Sequence, residues 1–495
     1  MRYQVLAAAC VLAIIVYVHR VGFARALPRI KDTFELEDYH LGWLTAVFLI
    51  AYGGFEMPWG LAGDRWGVRH LLPLIVIGWS LATGWVALAG SLTALLVLRF
   101  LFGFFQAGAF PLLSRLMTDW MPTYERGKAQ GLIWMATRLG GMIIPLGLGA
   151  LISWWGSWQA PLWMVAALGV CWSIAFWPWF RNTPQEMPGV NLDERALIEQ
   201  SRRPAVAAGS TGIEPAVAAH TAAASTDIQE LPSTGVSRHG ARSPAASTAI
   251  QQPGAPSPGH GQPGGSAARA PDEPPVRSIA HGPIPWRQFL SSRSVWCLCL
   301  MYGCGGFAAN FYVTLLPTYL NRHRNLSESE TNWLSSLPFL CGAVACLVGG
   351  LFSDALIRAT GNLKWGRRLN GTVGTLIAGF GWLSINWVDG VWALAFVLCL
   401  IFFCNDIAMG PAWAACADIG ERLAGTLGGA MNMIGNLAGA VGGIVAGYLF
   451  QENLQLLFVI YAVSFWCGTL CWQGVDATQK LTAHPRDDVA AAAAT

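Results

Sequence analysis

The sequence predicts an all-α polytopic membrane protein, with twelve transmembrane helices in two pseudo-symmetric six-helix bundles. Three observations predict it. Of 495 residues, 54% are hydrophobic and only 12% charged, where an average soluble domain carries about 25% charged residues. The apolar residues come in runs of about 20 or more, each long enough to cross a bilayer as a helix. The runs on either side of a long polar stretch also echo one another in spacing.

Six runs precede the break, at roughly 5–28, 39–59, 70–90, 92–116, 127–152 and 158–180. Six follow it, at roughly 294–318, 331–352, 369–388, 391–415, 425–450 and 454–473. The domains are therefore residues 1–180 and 286–473, with a tail at 474–495. Residues 181–285 are rich in Ala, Pro, Ser, Gly and Gln; "QQPGAPSPGHGQPGGSAARAPDEPP" buries too little apolar surface to fold. That stretch reads as a low-complexity linker, with one short amphipathic helix at Asn191–Gln200. No cleavable leader is evident, so the first run reads as the first span. Cys10, Cys171, Cys297, Cys299, Cys341, Cys346 and Cys404, among twelve cysteines, lie in apolar runs. They read as small buried hydrophobes rather than a disulfide framework. A net charge of +3 gives no reason to expect a nucleic-acid partner.

Orientation follows from the short loops. Arg65 and Arg69 follow the second run, Arg115, Arg126 and Lys128 the fourth, and Arg358, Lys364, Arg367 and Arg368 the eighth. All fall on one side, while the alternate loops are nearly bare or balanced by acids. An excess of Lys and Arg marks the cytoplasmic side. Both termini, the linker and the tail are therefore expected there. Trp154, Trp155, Trp158, Trp177 and Trp179, at span ends, read as an interfacial belt.

The halves repeat. "GLAGD" at Gly60–Asp64 has the spacing of "GLFSD" at Gly350–Asp354, and Pro111 and Pro411 hold matching places. "GLIWMATRLGG" aligned with "GAMNMIGNLAG" sets Arg138 opposite Asn436. Repeated halves joined by a tether are a transporter architecture, with the site between them at the bilayer midplane.

"GLAGDRWGVRHLL", Gly60 to Leu72, resembles the signature loop of the major facilitator superfamily, with Gly60, Asp64, Arg65, Gly67 and Arg69 filling its pattern and Asp354 echoing it. "RFLFGFFQAGAFPLLSRLMTDWMPTYERGKAQG" and "GTLGGAMNMIGNLAGAVGGIVAGYL" are similar to the anion:cation symporter branch. That branch includes transporters for hexuronates, galactonate, tartrate, phthalate, sialic acid and glutamate. The resemblance covers both halves but not the linker. It implies alternating access by rocking halves, with Asp64 clamping the cytoplasmic closure against helix N-termini and Arg65 and Arg69 pairing locally. The implied partners are a small organic anion, protons and the lipid bilayer, with a monomer and no cofactor or metal.

Charges inside the spans are the candidate site. An arginine at a span centre costs about 2.5–3.5 kcal/mol on insertion scales, and Arg20, Arg99 and Arg138 are so placed. A guanidinium fork suits carboxylates, and three of them suit an anion, a dianion included. Arg20 and Arg99 also match positions that resemble the branch's anion-binding arginines. Arg138 stands where the branch has a smaller or neutral polar residue. The alternative for each is a structural ion pair or snorkelling, and Arg25 and Arg29, nearer the outer end, read as snorkelling. Proton-coupled members commonly have Asp before the first of these arginines and Glu seven residues after the second; here His19 and Gln106 stand there. Glu56, where the branch usually has Gln, is an intramembrane acid and so a proton-coupling candidate, or a fixed counter-charge. His19 is either a second coupling candidate or a neutral hydrogen-bonding group. Tyr52, one turn before Glu56, shares its helix face. Tyr312, Asn310, Asn432 and Asn436 complete a candidate substrate cavity, with packing as the alternative for each. Asp406, beside Asn405, is set to contact ligand or to neutralise an arginine across the halves.

These readings converge on secondary active transport of a small organic anion, a sugar acid or other carboxylate, by proton symport. Uniport or exchange of the same substrates is the alternative that Gln106 raises. A non-transporting membrane sensor is the alternative of another class. No metal-ligand spacing, nucleophile–base set or phosphate-cradling loop points to an enzyme.

Overall fold

Helices are the only regular elements among the described residues, 1–201 and 285–481, of the computed structural model. Most of the 181–285 linker and all of 482–495 lie outside the described residues. The first half holds α1 (Arg2–Thr33), α2 (Asp38–Trp66), α3 (Val68–Val86), α4 (Leu92–Gln106), α5 (Ala109–Trp120), α6 (Arg126–Trp155) and α7 (Gln159–Trp179). Two short helices follow, α8 (Leu192–Gln200) and α9 (Trp286–Ser291). The second half holds α10 (Arg293–Asn310), α11 (Leu316–Arg324), α12 (Glu328–Thr360), α13 (Leu363–Ser384), α14 (Val391–Asp406), α15 (Met409–Gly420), α16 (Ala424–Glu452) and α17 (Leu454–Gly474).

Three pairs are broken rods: α4–α5, α10–α11 and α14–α15. The break after α4 has a chemical cause. Pro111 has no N–H for the carbonyl of Ala107, four residues back, and the helix parts at Ala107–Gly108. Pro411 does the same to Ile407, and α14 parts from α15 there. A π-helical turn, Phe311–Leu315, joins α10 to α11 just before Pro317. Counting each broken rod once, the described residues form twelve rods in the order of the twelve apolar runs. Seven stretches are long and apolar enough to cross a membrane by length and composition. One of these, Val391–Glu452, spans 62 residues and folds as α14 to α16; the remaining rods are shorter or less apolar.

The outer faces carry Ile50, Leu88, Phe396, Ile444 and Leu470, all exposed. Helices apolar on both the inner and outer faces belong in lipid. Trp154, Trp155 and Trp177 are exposed, but Trp158 departs from the belt reading. It is buried against Phe23, Leu95 and Leu162, with its Nε1 donating to Thr33 Oγ1 at 3.2 Å. Cys171 likewise departs from the buried reading, since it is exposed on α7. All twelve cysteines are free.

Buried apolar clusters differ between the two ends of the molecule. Near Asp64 and Asp354 one continuous core joins both halves, running through Leu113, Met117, Trp413, Ile419 and Leu427. Toward the other end the halves have separate cores, around Phe23 and Leu95 in one and Phe311, Trp382 and Phe458 in the other.

The first residues assigned to the linker are folded. Met187, Val190 and Ile198 are buried. Asn191 caps α8, accepting from Glu194 N at 2.7 Å, and Glu194 in turn binds the Met1 ammonium at 3.2 Å and the Arg2 amide at 2.8 Å. Ser201 bonds Thr123 through its carbonyl, at 3.0 Å.

Candidate functional site

Two layers of polar groups cross between the halves. The first lies at the end where the cores merge. Asp64, in the last turn of α2, accepts from the amides of Gly425 at 2.9 Å and Thr426 at 2.6 Å, and from Thr426 Oγ1 at 2.7 Å. Asp354, in α12, accepts from the amides of Gly127 at 3.1 Å and Lys128 at 2.6 Å. Each carboxylate thus caps the first turn of a helix in the opposite half, α16 or α6. Amides in a first turn have no partner within their own helix, and the helix dipole favours a negative charge there. The two caps are related by the sequence repeat.

Close backbone approach makes the caps possible. A Cβ at Gly60 would lie 2.0 Å from the Gly425 carbonyl oxygen, and one at Gly350 would lie 2.2 Å from that of Gly127. Buried ion pairs surround the caps. Arg367 binds Asp354 at 2.7 Å and Asp418 at 2.9 Å, and its Nη2 donates to the Thr123 carbonyl at 2.6 Å. Arg126 reaches Asp418 at 2.7 Å, and Arg115 lies 3.9 Å from Asp64.

The expected local pairing of Arg65 and Arg69 is not formed among the described residues. Arg65 is exposed, and the Arg69 Nε has no hydrogen-bond partner. Gly67 has φ +79°, a left-handed value that glycine adopts without strain. It turns the chain so that Asn182 Oδ1 can accept from the amides of Val68 and Arg69, at 3.0 and 2.9 Å. Asp418, Thr426 and Asn182 were missed from sequence, and Arg115, Arg126 and Arg367 were read only as loop charges. Four of the basic residues counted as loop charges, Arg115, Arg126, Arg367 and Arg368, are in fact buried and bonded.

The second layer is a cavity of about 240 Å³ between the halves, lined by Arg20, Tyr52, Arg138, Tyr312, Asn432 and Asn436, with Asn405 and several aromatic rings. Arg20, on α1, donates from Nε to Gln106 Oε1 at 3.2 Å, and Gln106 is itself anchored by its Nε2 to the Val16 carbonyl at 3.1 Å. The Arg20 guanidinium lies 4.5 Å from the Tyr52 ring centroid, and its Nη2 is buried without a partner. Glu56, fully buried beneath the cavity, accepts from Asn436 Nδ2 at 3.0 and 3.1 Å and from Asn432 Nδ2. Asn432 Nδ2 also lies 3.4 Å from the Tyr52 hydroxyl. One helix face therefore carries Tyr52 and Glu56 to the same asparagine of the other half.

The other candidates are placed differently. Arg138 is locked to Asp406, Nε to Oδ2 at 2.5 Å and Nη2 to Oδ1 at 2.9 Å, which is the cross-half neutralisation open to Asp406 from sequence. Tyr312 presents its ring, while its hydroxyl donates to the Leu398 carbonyl at 3.1 Å. Arg99 is not on the cavity. Its guanidinium faces Phe23 at 3.9 Å, Phe48 at 4.7 Å and Phe102 at 5.0 Å, and its Nε has no hydrogen-bond partner. His19 is also off the cavity, fully buried, with Nδ1 2.9 Å from the Ile15 carbonyl and Nε2 3.3 Å from Ser80 Oγ. The side chains of Arg25 and Asn310 lie outside the described ones. Tyr17, Trp134 and Tyr302 line the cavity and were missed, because an aromatic in a span looks the same from sequence whether it packs or lines.

Repeated helical bundles with a polar cavity between them, closed at one end by paired carboxylate caps, define a membrane transporter. The family model described as Major Facilitator Superfamily matches residues 9–443, and the chain belongs to that superfamily. It is 27% identical over 474 residues to the "Probable sulfoacetate transporter SauU" of Cupriavidus necator, covering 95% of this chain and 92% of that protein. It is also 27% identical over 441 residues to the "Probable galactarate/D-glucarate transporter GudP" of Escherichia coli, covering 88% and 83%. Among solved structures, the proton:xylose symporter XylE has a TM-score of 0.65 at 12% identity, covering 97% of both chains. The human organic anion transporter MFSD10 has a TM-score of 0.63 at 15% identity, covering 95% of this chain and 99% of that one. These two likenesses are of fold.

Proposed function

We propose that the protein is a secondary active transporter that moves a small organic anion, a sugar acid or another carboxylate, across the cytoplasmic membrane by alternating access and proton symport. The observation that carries this reading is Arg20, which lines the cavity, packs over the Tyr52 ring and keeps a buried Nη2 without a partner, near the buried Glu56. A buried unsatisfied donor costs about 1–3 kcal/mol. A carboxylate ligand satisfies it. The relatives named above, as transporters of sulfoacetate and of galactarate and D-glucarate, support an anion as cargo.

In this reading Arg20 binds the anion and Glu56 carries the proton. A bare Glu56 carboxylate competes with the ligand for Arg20; a protonated one leaves the fork to the ligand. Cargo and proton then cross together. The capped end is the cytoplasmic gate, and both termini and the linker lie on that side. The merged core and the Asp64 and Asp354 caps support a closed gate in this conformation. Opening it exchanges both caps for water and builds closure at the opposite end.

The test is uptake into proteoliposomes holding the purified full-length protein, with the interior made alkaline and sulfoacetate, glucarate, galactonate and benzoate as candidate cargo. Wild type is expected to accumulate at least one of them. Glu56→Gln is expected to keep exchange across equilibrated membranes and lose gradient-driven accumulation. If Glu56→Gln still accumulates cargo, the proton site is elsewhere, and His19→Asn is the next variant. Wild-type exchange without any response to the gradient supports uniport, the reading favoured by Gln106, which holds Arg20 without a titratable group.

A further inference from the structure

Three arginines in the spans suit a dianion, but tertiary packing leaves one of them for a ligand. Arg138 is held through two of its nitrogens by Asp406, which is fully buried and held in turn by Asn405 Nδ2 at 2.9 Å. That pair adds no net charge. Arg99 has no place on the cavity wall and faces three phenyl rings. Arg20 remains, with one unpartnered nitrogen. Glu56 adds nothing positive in either protonation state. The lining therefore balances one negative charge, and a second carboxylate brought into it would be buried without a counter-ion, which is strongly unfavourable.

The walls are equally selective about the body of the ligand. Tyr17, Tyr52, Phe110, Trp134, Tyr302 and Phe402 present rings to the cavity. Some polar atoms nearby are engaged: Nδ2 of Asn432 and of Asn436 on Glu56, the Tyr312 hydroxyl on Leu398, and the Tyr302 hydroxyl accepting from Trp413 Nε1 at 3.3 Å. A flat apolar ring would stack on these walls.

Resting on the reading of this cavity as the transport site, we propose that the cargo is a monoanion with a flat apolar body, an aromatic monocarboxylate, and that Asp406 is the specificity-determining residue that excludes dianions by occupying Arg138.

Counterflow in proteoliposomes holding the full-length protein tests this with three labelled probes. Benzoate has one charge and a ring; terephthalate adds only a second carboxylate; galactonate keeps one charge and replaces the ring with a polyol. Wild type is expected to exchange benzoate at least about tenfold faster than either of the others, a difference equivalent to ~1.4 kcal/mol. Asp406→Asn frees the Arg138 fork, so the terephthalate-to-benzoate ratio is expected to rise about tenfold. Arg138→Met combined with Asp406→Asn is expected to return the ratio to that of wild type. Should Asp406→Asn fail to fold, the three wild-type rates still decide. Terephthalate or galactonate exchanging as well as benzoate overturns the proposed substrate class while leaving anion transport standing. An unchanged ratio in folded Asp406→Asn overturns the role of Asp406. Exchange of none of the three, nor of sulfoacetate or glucarate, overturns the anion-site reading itself.

Discussion

Arg20 and Arg99 are the same residue type at similar depth, yet their surroundings give them different tasks. Arg20 is fixed by Gln106 and stacked on Tyr52, lines the cavity, and keeps one buried nitrogen without a partner. Lysine at this position keeps the charge but loses the planar fork, the Gln106 bond and the stacking. A hydrogen bond to a charged group contributes about 1.5–3 kcal/mol. Arg20→Lys is therefore expected to weaken anion affinity at least about tenfold while thermal stability holds, as read by counterflow and by the unfolding midpoint. The same change at Arg99 is expected to show the reverse pattern, because its guanidinium contacts rings rather than cargo. Wild-type affinity in Arg20→Lys would remove Arg20 from the site.

At the scale of the element, glycine sets how closely the halves meet. α2 and α16 touch backbone to backbone at Gly60 and Gly425, as do α12 and α6 at Gly350 and Gly127. The carboxylate caps reach the opposite amides only at that separation. Overpacking of this kind costs about 1–3 kcal/mol, and here it falls on one conformation rather than on the fold of either half. Gly60→Ala is expected to hold the gate ajar and reduce uptake about tenfold, within that range. Gly42→Ala, with nothing within 4 Å of the new methyl, is the control expected to leave uptake unchanged. Equal rates for both variants would show that the approach at Gly60 does not govern closure.

At the scale of the whole molecule, the linker joins two bundles that already meet through a continuous core. A low-complexity tether needs only the length to span its ends. Deleting Ala205 to Ala270 is expected to leave uptake within about a few-fold of wild type. Extending the deletion back to Thr183 removes Met187, Val190 and Ile198 from their buried places and frees Met1 and Thr123 from Glu194 and Ser201. A clear drop in the unfolding midpoint is expected for that longer deletion alone. Equal midpoints for the two would make residues 183–201 part of the spacer.

What the sequence by itself determined is what depends on residues close together in the chain. Apolar runs placed the helices, because a bilayer demands a fixed length of apolar side chains. Prolines at matching places, read there only as part of the repeat, also set the breaks in α4–α5 and α14–α15, because a missing N–H acts on the carbonyl four residues back. The spacing of Gly60–Asp64 and Gly350–Asp354 marked the two carboxylates that cap opposite helices, and the turn from Tyr52 to Glu56 put two groups on one face. Tertiary structure alone decided which charge meets which. Asp406 is 268 positions from Arg138, and Asn432 is 376 from Glu56. Nothing local distinguishes the ion-paired Arg138 from the Gln106-bound Arg20 or the sealed Arg99. In a low-dielectric interior a charge is defined by its neighbours within a few ångströms, and helices far apart in the chain supply those neighbours.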